Sequence, residues 1–109
     1  MIATGATMDT TWQDALDDFL KAYFGYQSLA EGVAEVVFVT ARHDDYHRRY
    51  LGAVEAGIAS AERGDPATVR ILQDSWASNA QTPAEAREFL TELRDTYLER
   101  YRAETAGGR

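Results

Sequence analysis

The sequence contains no cysteine, only two prolines, and no apolar run long enough to cross a membrane. Without cysteine, a disulfide scaffold, a zinc ribbon, an iron–sulfur site and cysteine catalysis are excluded. No signal-peptide pattern opens the chain. Basic residues are also few, with 11 Lys+Arg against 18 Asp+Glu, and the resulting net charge of −7 argues against a general nucleic-acid binder. We therefore expect a soluble, cytoplasmic protein whose 109 residues form one domain.

Apolar residues recur at helical spacing in five segments of the chain. The spacing and the capping residues predict helix starts near Thr11, Ser28, Asp45, Asp65 and Thr82. The segment Val36–Val39 is β-prone, but its good N-cap and the lack of a visible partner strand favour a helix. Because each helix has one apolar stripe that only another helix can cover, the sequence predicts an all-α fold.

The predicted fold is a single compact bundle of about five helices, with frayed ends near residues 1–8 and 103–109. Met8 is an alternative start to Met1. Trp76 lies on an apolar stripe and is expected in the core, with the role of a partial surface anchor beside the following polar loop as the alternative. Gly52 and Gly57 are expected to permit close helix packing. The expected core comprises Trp12, Leu16, Phe19, Leu20, Tyr23, Val33, Val37, Val54, Ile58, Leu72, Phe89, Leu90, Leu93 and Tyr97.

Acidic residues of the last helix fall within one narrow strip that no base interrupts. At about 100° per residue the strip holds Glu85, Glu88, Glu92, Asp95 and Glu99. A second acidic set, Asp14, Asp17 and Asp18, lies opposite the apolar stripe of the first helix. Like charges at these spacings destabilise a helix by a few tenths of a kcal/mol per pair. The strip is either a merely solvated face or a surface that binds a basic partner.

Motifs for catalysis are missing from the sequence. His43 and His47 flank a predicted helix start, so they would not share a face on which to hold a metal. The chain has no G-x-S-x-G elbow and no phosphate-binding glycine loop. We expect a protein that is not an enzyme, with no cofactor and no metal.

Two segments carry a resemblance to a known family. Phe19-Leu20-Lys21-Ala22-Tyr23-Phe24 and Phe89-Leu90-x-x-Leu93 resemble the opening and closing motifs of small, acidic, all-helical immunity proteins of contact-dependent growth inhibition systems. The resemblance implies a cytoplasmic bacterial protein that binds and neutralises a cognate toxin domain, often a nuclease. Such a toxin tends to be basic because it binds phosphate backbones, so an acidic inhibitor would suit it. No direct contact with nucleic acid or membrane is implied.

Two alternatives to a toxin inhibitor remain at this stage. The protein could be an acidic nucleic-acid mimic that inhibits a DNA-binding or defence protein, although a mimic usually needs denser charge. It could also be a small helical ligand-binding module or enzyme with a pocket between helices. The sequence does not indicate the oligomeric state.

Overall fold

The computed structural model describes residues 11–25 and 27–107, and this part of the chain contains five helices and no strand. The helices are α1 (Thr11–Tyr23), α2 (Leu29–Thr40), α3 (Asp44–Glu62), α4 (Ala67–Asp74) and α5 (Pro83–Gly107). The predicted all-α bundle of about five helices is confirmed. Residues 1–8 and the alternative start at Met8 lie outside the described residues, whereas α5 continues past residue 103, where the sequence predicts fraying.

Local capping interactions explain why α2 and α5 begin where they do. Ser28 Oγ accepts from the Glu31 amide at 3.1 Å, and Glu31 Oε1 accepts from the Ser28 amide at 3.1 Å, which completes the predicted capping box of α2. At the start of α5, Thr82 Oγ1 accepts from the Glu85 amide at 3.2 Å. The Glu85 carboxylate accepts from the Gln81 amide rather than from Thr82. Each of these bonds satisfies a donor that a helix start would otherwise leave unpaired.

The longest helices, α3 and α5, pack against each other at the centre of the bundle. Helix α1 packs against α3 and α4, and α2 packs mainly against α5. Gly57 allows the close approach of these elements, because a Cβ there would lie 3.0 Å from Leu90 Cδ1 and 3.1 Å from Leu16 Cδ2. The predicted core residues are buried except for three that lie at its edge and are half-buried: Trp12, Tyr23 and Phe89.

The segment Val36–Val39 lies within α2, as predicted. Val36 and Val37 are buried, but Phe38, the next residue along α2, is 60% exposed. The Arg42 guanidinium covers the Phe38 ring at 3.9 Å from its centroid, and Arg42 also donates to the Phe38 carbonyl oxygen. A cation over an aromatic face is a favourable contact even at the surface. This exposed ring is therefore partly shielded from within the chain.

Two expectations about packing are wrong. Trp76 is 76% exposed and does not belong to the core. Its spacing from Val69 and Leu72 would place it on the apolar face of α4, but α4 ends at Asp74 and Trp76 lies in the turn that follows. Gly52 does not serve helix packing, because no atom of another described element lies within 4 Å of the position that a Cβ would take there.

Gly32 makes a close approach that the sequence analysis did not identify. A Cβ on Gly32 would lie 2.5 Å from the Tyr23 carbonyl oxygen and 2.5 Å from two ring atoms of Phe24. No side chain fits into that space without moving the backbone of one helix. Gly32 thereby lets α2 pack directly against the end of α1.

Candidate functional site

The acidic strip of α5 lies on the outer face of the bundle. Its five members, Glu85, Glu88, Glu92, Asp95 and Glu99, are all exposed. The opposite face of the same helix carries the fully buried Ala86, Leu90 and Leu93. The helical spacing that buries one face therefore presents the acids together on the other.

Few interactions within the chain neutralise the strip. Asp95 pairs with its neighbour Arg94 at 3.1 Å. Arg87 turns towards α3 and pairs with Glu62 at 3.1 Å instead of with the strip. Within the described part of the chain, no base lies within ion-pair distance of the other members of the strip: Glu85, Glu88, Glu92 and Glu99. Most of the charge of the strip is thus available to a partner.

The second acidic set, on α1, is largely paired. Asp17 accepts from Lys21 at 2.9 Å, and this hydrogen bond raises the pKa of Lys21. Asp18 lies 3.7 Å from the Arg49 guanidinium of α3. Only Asp14 of this set has no ion pair among the described residues. The α1 set is consequently the weaker candidate for a charged contact surface.

The two histidines point to different surroundings and do not converge on a common site. His43 is exposed at the N-cap of α3, where its side chain makes no capping bond, and it lies beside Tyr46. His47 Nδ1 lies 2.7 Å from the Tyr97 hydroxyl, and its ring stacks on Tyr101 with centroids 3.9 Å apart. Their positions therefore give no shared metal-binding face.

His47 instead belongs to a polar network that joins three helices. The Tyr97 hydroxyl of α5 donates to Thr40 Oγ1 of α2 at 2.8 Å and also meets His47 of α3. Burial raises the pKa of Tyr97 to about 12 and lowers the pKa of His47, although the charge of Asp44 opposes the second shift. A tyrosine that stays protonated and a mostly neutral histidine suit a structural hydrogen bond.

The turn after α4 holds Trp76 in an unusual backbone conformation. Its φ of 64° lies in the left-handed region, which a bulky residue rarely adopts. The Trp76 amide donates to the Gln73 carbonyl at 3.1 Å, and the Ala77 amide donates to the Leu72 carbonyl at 3.1 Å. This pair of bonds is the Schellman motif, in which Trp76 occupies the position that usually holds glycine.

The space inside the bundle is small. A gap lined by Phe19, Tyr50, Leu93 and Tyr97 has a volume of about 10 Å³, which is room for one water molecule rather than for a substrate. Glu88, Glu92 and Asp95 border an open patch on the outer surface of α5, which is lined by residues of that helix alone. Within the described residues, no helix combines the length and the apolar content that a membrane span requires.

The sequence predicts the strip of α5. For Trp76 it favours the core over a partly exposed surface position, and the structure shows the exposed position. The sequence signal for the exposure of Trp76 is weak. It consists only of the position of Trp76 beyond Leu72, the last apolar residue of the stripe that is buried in α4. No family model matches the chain, and neither a curated protein nor a solved structure shows a match to it.

Proposed function

We propose that this protein is an inhibitor that binds a basic protein through the acidic strip of α5. Its cellular role is that of an immunity protein, which binds a cognate bacterial toxin domain with nuclease activity and neutralises it. The observation that carries the proposal is the exposed, mostly unpaired strip Glu85, Glu88, Glu92, Asp95 and Glu99. Such a surface steers an oppositely charged partner into place and fixes its register.

The basic partner follows from the chemistry of nucleases. An enzyme that binds nucleic acid presents Lys and Arg to the phosphates, and those side chains are its most accessible charges. An acidic inhibitor that covers them blocks substrate binding without any catalytic group of its own. The open surface of α5 beside Glu88 and Glu92 is compatible with an extended protein contact.

Charge density favours a protein inhibitor over a nucleic-acid mimic. The strip runs from residue 85 to residue 99, which is about 21 Å of helix at ~1.5 Å per residue. It therefore carries about one negative charge per ~5 Å, whereas duplex DNA carries one per ~1.7 Å of its axis. The strip reaches about a third of the density of the polymer that a mimic would imitate.

The test is complex formation with the product of the adjacent gene, followed by charge reversal. Glu88→Lys with Glu92→Lys changes two members of the strip that have no base within ion-pair distance among the described residues. We expect a folded protein, since the change relieves like-charge repulsion. Association should slow about tenfold at low salt, and the difference should shrink as salt screens the charges.

A matched control separates the strip from net charge. Glu55→Lys with Glu104→Lys changes two exposed acids outside the strip. Each reversal adds two charges, so both double variants carry −3 instead of −7. Asp14→Lys with Asp18→Lys tests the α1 set in the same way. The proposal is wrong if the adjacent gene product does not bind, or if the strip and control variants associate at the same rate.

A further inference from the structure

Trp76 contributes little to the stability of the isolated chain and has a strained backbone. Its large apolar ring is 76% exposed, so it contributes little to the core. Its backbone has a φ of 64°, a conformation that is unfavourable for residues with a Cβ and for bulky residues most of all. Strain of this kind persists at sites where it serves a function.

A second turn of the same type in this chain has glycine at the left-handed position. After α3, the Gly64 amide donates to the Ala61 carbonyl at 2.9 Å, and the Asp65 amide donates to the Ser60 carbonyl at 3.2 Å. These are the bonds of a second Schellman motif, and glycine occupies the left-handed position with a φ of 81°. The motif after α4 has Trp76 at the equivalent position. The contrast indicates that the indole at residue 76 has a role outside the fold.

Asp74 is the acidic residue nearest to Trp76 along the chain. The Ser75 carbonyl oxygen would lie 3.1 Å from a Cβ on Gly25, so the turn packs against the end of α1. The nearby base Lys21 is already paired with Asp17. Asp74 is therefore an exposed carboxylate, two residues before Trp76 in the chain, that has no ion pair in the described part of the structure.

We propose that Trp76 is an anchor for a cationic side chain of a basic protein partner. An arginine of the partner stacks on the exposed indole face and pairs with the carboxylate of Asp74. Tryptophan has the aromatic face that best attracts a cation, and the planar guanidinium of arginine stacks on it while it hydrogen-bonds to a carboxylate. Tryptophan is also enriched among the residues that dominate binding at protein interfaces. The basic character of the partner rests on the proposed function, whereas the anchoring residue does not.

Unfolding measurements test the strain. Trp76→Gly removes both the ring and the strain, while Trp76→Ala removes the ring and keeps a Cβ in the left-handed region. We expect the folding equilibrium constant of Trp76→Gly to exceed that of Trp76→Ala by about fivefold or more. Trp76→Gly should also be at least as stable as the unchanged protein. Equal stability of the two variants would overturn the argument that residue 76 is strained.

Fluorescence tests the anchor directly. In a Trp12→Phe background, Trp76 is the one remaining tryptophan, since the sequence has two. Poly-L-arginine and poly-L-lysine of equal length serve as probes. We expect poly-L-arginine to change the Trp76 emission more than poly-L-lysine does. Trp76→Ala and Asp74→Asn, in the chain that retains Trp12, should each weaken binding of poly-L-arginine about two- to fivefold, whereas Trp76→Phe should retain part of the affinity.

The outcomes separate this inference from the proposed function. Because Trp76→Ala leaves the net charge unchanged, weaker binding by that variant cannot come from long-range attraction. An unchanged emission together with unchanged affinity overturns the anchor but leaves the strip of α5 intact as the contact surface. If sedimentation shows a dimer that Trp76→Ala dissociates, the ring is covered by a second copy of the chain and the cationic anchor is wrong. If only the reversal of Glu88 and Glu92 disrupts the complex with the adjacent gene product, the proposed function stands without Trp76.

Discussion

Replacing Gly32 with alanine should destabilise the bundle more than its chemistry suggests. The added Cβ would lie 2.5 Å from the Tyr23 carbonyl oxygen and 2.5 Å from Phe24 Cδ1 and Cε1. The carbonyl oxygen is backbone and cannot rotate away. The Phe24 ring is 3% exposed and packs edge-on against Phe19 at 5.4 Å between centroids, so it has no free direction either. Helix α2 would have to move away from the end of α1.

The expected magnitude is a difference between two effects. Forcing an extra methyl group into a packed contact costs about 1–3 kcal/mol, and the fixed neighbours here place Gly32→Ala near the upper value. Alanine in place of glycine within a helix returns about 1 kcal/mol. The net loss is about 2 kcal/mol, which lowers the Tm of a domain of this size by about 10 °C.

Two other glycines provide matched controls. Gly52→Ala puts a methyl group into open space in the middle of α3, so it should stabilise the protein by about 1 kcal/mol. Gly57→Ala meets the terminal methyl groups of Leu90 and Leu16, which can shift slightly, so it should change stability by less than about 1 kcal/mol. Urea unfolding followed by circular dichroism measures all three. If Gly32→Ala is as stable as Gly52→Ala, the close approach of α1 and α2 is wrong.

Two further predictions concern groups inside the bundle. Because the pKa of His47 is lowered from 6.5 in the fold, the unfolded chain takes up its proton first as the pH falls. Stability should therefore decrease below about pH 6.5 and level off once folded His47 is also protonated; a His47→Gln variant with the same slope between pH 7 and pH 5 would contradict this. Thr68 is fully buried, and its Oγ1 has no hydrogen-bond partner among the described residues. Thr68→Val should leave the free energy of unfolding unchanged or raise it by about 1 kcal/mol, and a clear loss would mean that the hydroxyl has a partner such as a buried water.

The helices could be predicted from the sequence because their signals are local. The capping box of Ser28 and Glu31 acts within one turn of chain, and it lies in the structure where the sequence predicts a helix start. The buried faces follow from periodicity alone, since the same spacing that repeats Leu90 and Leu93 also places the acids of α5 opposite them. Even the β-prone Val36–Val39 is helical, because its valines pack against the bundle.

The errors come from features that depend on distant parts of the chain. Whether a helix glycine is needed depends on the neighbouring helix, which is why Gly52 and Gly32 could not be told apart by their sequence context. The pairing of Asp18 with Arg49 joins α1 to α3, so the availability of the α1 acids was not visible either. Trp76 is a different case, because its apolar character predicts burial, whereas it lies in a left-handed turn and is exposed.

The strip of α5 and the tryptophan after α4 have one energetic property in common. The five acids of the strip form four like-charge pairs at three- or four-residue spacing. Together these pairs destabilise the helix by about 1–2 kcal/mol. The left-handed Trp76 costs about 1–2 kcal/mol more. The free energy of unfolding of a domain is only about 5–15 kcal/mol, so the like-charge pairs and the strained turn lower it by a substantial fraction. A folded chain in which most local preferences agree with the fold concentrates its exceptions where it binds something. Since a cationic partner would relieve the repulsion in the strip and cover the exposed indole, one class of partner accounts for both departures.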